Sequence, residues 1–355
     1  MKIFIKAASC ISPQETFIQQ LFTSNAKEYN SNFIKAIEPD YKTIIDPKLL
    51  RRMSRIVRTG LVAAIACLKE AALSNVDAII TGTAYGCMED SEKFLQTIVE
   101  QDETMLSPTS FIQSTHNTVA AQIALFLKCN AYNNTFVHRG FSFEHALIDS
   151  MLLLYEEKAK NILAGSADEM TDFTFNVLKR FGMYKHSAVS NLDLYKSDSR
   201  GSIAGEGTAF FVLSTEGSEK NYAELTGIKT FYKPESIISV EEKIHEFLEA
   251  KELSIEDIDL VITGKNGDCK IDKEYDELQE NVFTKTPVIN YKHLCGEYPT
   301  SSSFAMWLAA SIIKNQQLPK CFEEEISTTN FKRILIYNNY QSKYHSLILL
   351  SATNN

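Results

Sequence analysis

Residues 55–73 read RIVRTGLVAAIACLKEAAL, and from Gly60 to Leu68 almost every side chain is small and apolar. Such a segment has no polar face to offer water, so it predicts a helix covered on most sides. Two further stretches share the pattern: 118–127 (TVAAQIALFL) and 302–314 (SSFAMWLAASIIK). A fourth apolar helix is expected over 143–155, with less apolar helices over 92–100 and 240–250. Short apolar runs separate them and predict buried strands at 77–81, 161–164, 209–213 and 259–263, the first two stopped by Gly82 and Gly165. Further strands are expected at 3–8, 133–137, 223–229, 334–337 and 346–350. The chain therefore alternates strand and helix, which places it in the α/β class. Helices apolar all round must be sandwiched between sheets. A layered αβαβα arrangement meets that need, and an open sheet with exposed outer helices does not. Two halves, 1–215 and 216–355, each close on a pair of strands, which hints at an internal duplication.

Composition narrows the function. The 355 residues are 44% hydrophobic, enough for one large core or two joined halves. The formal net charge is −9, so the basic footprint of a nucleic-acid binder is absent. The one dense basic run, Lys48 to Arg58, reads as a solvated or partner-facing helix start. No apolar run approaches the ~18 residues of a membrane span. The N-terminus reads as a strand rather than a signal peptide. Seven cysteines are scattered without a CxxC pair, so neither a zinc site nor a disulfide framework is expected, and a reducing cytoplasm fits best. No metal or cofactor is expected.

Several segments, in order, resemble the β-ketoacyl synthases of the thiolase-like superfamily. Gly82-Thr83-Ala84-Tyr85-Gly86 is similar to that family's GTGxG turn. Ser107-Pro108-Thr109-Ser110-Phe111, with Asn117 and Ala120-Ala121, is similar to its P-x-x-F…N-x-x-A stretch. Ala164-Gly165-Ser166-Ala167-Asp168 resembles AGGAE. Asp198-Ser199-Arg200-Gly201 and Gly205-Glu206-Gly207 match D-x-R-x-G…GEG, and Ser254 to Asp259 looks like the SPEDID helix-to-strand junction. The resemblance spans nearly the whole chain. It implies the five-layered αβαβα thiolase-like fold with two related halves.

The same register locates the family's Cys-His-His machinery. Its nucleophilic Cys lies five residues before a common His, here His145, and the spacing to Gly165 needs no gap. That puts Gly140 at the nucleophile. The first catalytic His precedes a glycine after a strand; here the strand ends Val261-Ile262-Thr263-Gly264, so Thr263 takes its place. The second belongs to K-x-x-x-G-H, and the chain reads Lys292-His293-Leu294-Cys295-Gly296-Glu297, so Glu297 replaces it. The C-terminal GFGGTN loop is replaced by 338–344 (NNYQSKY), without glycine.

Condensation needs a thiolate to carry the acyl group, and glycine has no side chain. The enolate left by decarboxylation needs two donors, and an ionised Glu297 repels it. Groups that act as a unit are lost together, so turnover is expected near background. Relatives with Gln at the Cys position still decarboxylate, but they keep the histidines. Enzymatic status is left open by three candidates for rewired chemistry: His138 and Ser142, which flank Gly140, and the thiol Cys295. The bland expectations are an apolar pocket plugged by Phe136, Phe141 and Phe143, a small buried filler at Cys295, and a satisfied core histidine at His145.

A catalytically empty subunit of this family that pairs with an active synthase is a chain-length factor, and the resemblance implies that role here. Thr115, His116 and Asn117, with Ala121 and Gln122 nearby, align with positions that reach across the dimer toward the partner's acyl tunnel. The implied partners are a catalytic β-ketoacyl synthase, in a heterodimer, and indirectly an acyl carrier protein. The Ser-Pro-Thr-x-Phe…His-Asn stretch further resembles subunits of aryl polyene and flexirubin type II polyketide systems. The alternatives are an acyltransferase or hydrolase using the rewired residues, and a structural homodimer.

Overall fold

The structure is a computed structural model; it describes all residues except 18–19, 105, 324–325, 327–329 and 354–355. To the ten-stranded sheet the first half supplies five strands: β1 (Phe4–Ile11), β2 (Ala78–Gly82), β3 (Tyr132–Phe136), β4 (Asn161–Asp168) and β5 (Gly207–Ser214). The second half supplies five more: β6 (Ala223–Tyr232), β7 (Leu260–Thr263), β8 (Val288–Asn290), β9 (Arg333–Tyr340) and β10 (Tyr344–Ser351). In space the order is β3-β2-β4-β5-β1 in one half and β8-β7-β9-β10-β6 in the other. Each half thus runs third, second, fourth, fifth, first. The directions repeat as well: the first two pairings are parallel and the last two antiparallel in both halves. Only Phe4↔Glu224 and Ile5↔Ala223 join β1 to β6.

The principal helices are α1 (Arg55–Glu70), α2 (Met88–Glu100), α3 (Pro108–Gln113), α4 (Thr118–Leu127), α5 (Ser142–Tyr155), α6 (Asp172–Arg180), α7 (Ile237–Glu249), α8 (Asp272–Asn281) and α9 (Ser302–Asn315). Strand side chains alternate between faces, and the alternation builds three cores. On β5, Ala209, Phe211 and Leu213 face inward with α5 and α9, where Ile262, Ile336 and Ile348 of the second half meet them. Phe210 and Val212 face outward against α1 and α4. Val261, Leu335 and Leu347 face α7 and α8 on the far side. The layers are therefore helix, sheet, helix, sheet, helix, the thiolase-like α/β arrangement.

One expectation is corrected. Among the apolar helices, α9 lies between the sheets with every residue from Ser302 to Ile313 buried, but α1 and α4 form an outer layer. The segment carrying Tyr41, Ile44, Ile45, Leu50 and Met53 covers α1 from outside. Among the described residues nothing covers all of α4, where Ala121, Leu125 and Phe126 are exposed. An apolar surface shows that a helix is covered; it does not show by what.

Candidate functional site

Gly140 sits in a single 3-10 turn, Arg139–Phe141, that runs straight into α5. It is buried, and a Cβ placed on it would come within 2.9 Å of Tyr340 Cβ, Tyr340 Cδ1 and Tyr344 Cβ. The cause is the β9–β10 hairpin. Tyr340 and Tyr344 pair across its end, and Gln341 and Ser342 turn the chain in left-handed conformations at φ 59° and 50°. Where the family resemblance implies a glycine-rich loop, this chain has a tight hairpin whose tyrosines occupy the nucleophile's space. Phe141 joins them, its ring centroid 5.0 Å from Tyr344, and Tyr85 Oη lies 3.5 Å from Tyr340 Oη. The plug is therefore mostly tyrosine. Of the three phenylalanines expected in it, only Phe141 belongs there; Phe143 is in the central core and Phe136 packs against His138 and His145.

Thr263 ends β7, and its hydroxyl donates to Asn290 Oδ1 at 2.5 Å, so its proton is committed within the sheet. Glu297 is buried and meets Lys292 Nζ at 2.5 Å, and Asn266 Nδ2 donates to its other oxygen at 2.8 Å. Lys292, fully buried, also donates to Ser301 Oγ at 2.8 Å. Glu297 is therefore the counter-ion of the motif's lysine. The backbone makes this possible at Gly296, which has φ +74° and packs on Gly205 so closely that a Cβ would meet Gly205 Cα at 2.5 Å.

The rewired candidates do not assemble. Ser142 Oγ donates to Arg139 O at 2.8 Å and accepts from the His138 backbone N–H at 2.9 Å. The His138 ring turns instead to His145, with the two Nδ1 atoms 2.5 Å apart. His145 is half-buried rather than a core residue, and burial followed by the neighbouring His138 lowers its pKa. Cys295 is buried and donates to Gly296 O at 3.2 Å; burial raises its pKa well above that of a free thiol, so it stays protonated.

The five positions expected to face a partner's tunnel lie at the α3–α4 junction and on α4. The Thr115 hydroxyl is taken up by Ile112 O and Thr118 Oγ1, both at 3.0 Å. His116 is exposed and its ring lies against Gly86, where a Cβ would come within 2.8 Å of His116 Cδ2. Asn117 and Ala121 are exposed and Gln122 is partly so. A pocket of about 380 Å³ opens over Glu297, Asn266 and Tyr340, rimmed by Arg200, Lys270 and Lys343. Sequence reading missed Asn266, Tyr340 and Tyr344 as site residues. For Lys292 a signal existed: a lysine in an otherwise apolar, buried stretch demands a carboxylate, and Glu297 is the nearest.

His293, in the short helix Lys292–Cys295, and His345, on β10, are both buried, and desolvation brings each pKa down to about 4. They stay neutral in the fold, whereas the unfolded chain protonates them below about pH 6.5. Stability is therefore lost as pH falls from about 6.5 toward about 4, by up to about 3 kcal/mol for each. Urea unfolding at pH 7 and 4.5 should show this loss, and a His293→Gln/His345→Gln variant should lose less stability between the two.

The profile of the family described as "Beta-ketoacyl synthase, N-terminal domain" matches residues 24–202. No curated protein sequence matches the chain. Among solved structures, the ishigamide ketosynthase/chain length factor superposes with a TM-score of 0.80 at 17% identity, over 99% of both chains. A β-ketoacyl synthase from Burkholderia phymatum STM815 gives 0.78 at 14% identity, over 99% of this chain and 100% of that one. The AntDE:AntF complex, a type II polyketide acyl carrier protein with its hexaketide-bound ketosynthase, gives 0.73 at 19% identity over 99% of both. At these identities the structures share the fold.

Proposed function

Because the chain belongs to the β-ketoacyl synthase family and has no nucleophile at Gly140, we propose that it is a non-catalytic, chain-length-factor-like subunit pairing with an active β-ketoacyl synthase. The observation that carries this reading is the crowding at Gly140: Tyr340 and Tyr344 fill the space an acyl-cysteine would need. The Thr263 hydroxyl and the Glu297 carboxylate are both engaged within the protein, so neither is left to stabilise an enolate.

The surface supports the pairing. β3 ends the sheet and is bonded on one side only. Around it lie exposed Leu125, Tyr132, Leu152 and Tyr155, and beyond them Phe111 and Ile112. Helices α2 and α3 have no buried residue at all, although Phe94 and Phe111 meet at 5.7 Å. Exposed apolar side chains gathered about a free sheet edge favour an interface. His116, exposed on that face, is the tunnel position best placed to project into a partner. The ishigamide structure is itself a ketosynthase/chain length factor, which agrees with this reading. The pathway reading, an aryl polyene- or flexirubin-type system, rests on the motif at 107–117.

Co-expression with an active synthase should give a one-to-one heterodimer by native mass. Leu125→Asp should weaken it more than about tenfold, the scale of a lost apolar anchor, and His116→Trp should shift the products to shorter chains. A homodimer indifferent to the synthase would overturn the role and favour a structural homodimer. The hydrolase or acyltransferase alternative gains nothing from His138, Ser142 or Cys295, which form no nucleophile–base pair.

An acyl carrier protein is the second proposed partner. Arg51 and Arg52 are exposed beside Arg58 and Lys93 in a groove of about 750 Å³. Arg55 does not belong with them. Its Nη1 and Nη2 grip Glu206 at 2.8 and 2.5 Å, and its Nε meets Glu38 at 2.6 Å. Arg51→Glu/Arg52→Glu should therefore weaken binding of an acidic carrier to the heterodimer and leave folding intact, as read by titration and thermal melting. Unchanged affinity would remove the groove from the carrier path.

A further inference from the structure

Away from Gly140, one cluster joins a buried amine to an exposed hydroxyl. Lys185 is buried between the loops 197–201 and 265–270. Its Nζ lies 2.8 Å from Ser199 Oγ, 3.2 Å from Ser197 Oγ and 2.9 Å from Gly267 O. Ser197 Oγ and Ser199 Oγ are themselves 2.9 Å apart. Ser199 is exposed and Ser197 partly so. Among the described residues, Lys185 makes no ion pair within 4 Å.

We propose that Ser199 is a nucleophile activated directly by Lys185, with Ser197 beside both, and that this site takes an acyl group from an activated ester or thioester. A serine needs an adjacent base within hydrogen-bond reach, and a lysine serves when its ammonium is destabilised. Desolvation lowers the Lys185 pKa, with Asp268, Asp272 and Cys269 acting the other way. Arg200, the next residue, is held at Nε by Asp268 at 2.9 Å, and its side chain is 60% exposed. Its Nη atoms have no hydrogen-bond partner among the described residues and are free to stabilise an oxyanion. Arg200 also rims the pocket of about 380 Å³ with Lys270, Lys343 and Phe181, so a donor held there meets the residue next to Ser199.

The step balances without a redox partner. Ser199 Oγ bonds to the carbonyl carbon as its proton passes to Lys185 Nζ, 2.8 Å away. The carbon–sulfur or carbon–oxygen bond then breaks, and Lys185 returns the proton to the leaving thiolate or alkoxide. Water releases the acyl group by the reverse sequence.

The competing role is a clamp, in which an ammonium's three protons tie the two loops together. Lys185→Arg separates the two, since guanidinium keeps the charge and cannot give up a proton at usable pH. The full chain is treated with p-nitrophenyl acetate and with a fluorophosphonate probe, and the labelled peptide is identified by mass spectrometry. We expect label on Ser199, ester turnover falling more than about tenfold in Ser199→Ala and in Lys185→Arg, and an unchanged melting temperature. The rate should rise with pH through an apparent pKa below that of an ordinary lysine. Absence of label on Ser199, or turnover unchanged in Ser199→Ala, overturns the proposal. Ser199→Ala is a surface change, so the test survives if Lys185→Arg folds poorly. Subunit pairing does not enter this experiment, and its failure leaves the chain-length reading standing.

Discussion

Lys292→Met is expected to destabilise the protein by about 3–5 kcal/mol, the range for removing one partner of a buried ion pair. The lysine side chain is wholly buried and that of Glu297 is 5% exposed, so water cannot replace the lost cation. Glu297 would keep only the Asn266 amide. The energy at stake is the cost of an uncompensated charge rather than the net worth of the pair. The double variant Lys292→Met/Glu297→Gln should therefore recover most of the loss, because nothing ionised remains. Urea unfolding of the two singles and the double gives the coupling energy directly. A single-variant cost under about 1 kcal/mol would show that the site admits water and that Glu297 is not held as a buried anion.

Gly140→Cys is expected to restore the family's nucleophile on paper and no chemistry in the tube. The new Cβ meets three tyrosine carbons at 2.9 Å, closer than van der Waals contact, so the hairpin must shift. Overpacking of that kind costs about 1–3 kcal/mol. A thiol there still lacks the two donors the family uses, since Thr263 is bonded to Asn290 and Glu297 to Lys292. Incubation with acyl or malonyl thioesters, followed by peptide mass mapping, should show no acyl group at position 140 and no decarboxylation above background. Adding Tyr340→Ala and Tyr344→Ala removes the Cδ1 contact but leaves both Cβ contacts in place, and should not confer turnover. A stable acyl group mapped to position 140 of the single variant would show that the hairpin opens on its own, and the reading of a closed site would fall.

The fold was legible where burial repeats in the sequence. The apolar blocks at 55–73, 118–127 and 302–314 became α1, α4 and α9, and the buried strands fell within a few residues of their expected limits. The elements not anticipated, α6, α8 and β8, lack that signal. Residues 272–281 read DKEYDELQEN, held down by little more than Tyr275 and Leu278, and β8 is three residues long. At the site, spacing located Gly140, Thr263 and Glu297, because motif positions are local in sequence. What occupies Gly140's space was not legible, since Tyr340 lies 200 positions away and reaches it only through the order of strands in the sheet. The pairing of His138 with His145 was hidden for a different reason: a ring can turn either way from the same backbone, and the sequence does not choose.

The free edge of β3 has a consequence for the cell. Its five residues, Tyr132 to Phe136, contain neither proline nor glycine to blunt them and are flanked by exposed apolar side chains. An edge of that kind is a template for any other extended chain, its own copies included. Copies made in excess of whatever covers this edge face a race between assembly and aggregation, and the excess is removed or precipitates. If the partner is the synthase proposed above, selection should act on matched synthesis of the two chains as strongly as on either sequence. Solubility during titrated co-expression would report the stoichiometry of the assembly before any product is measured.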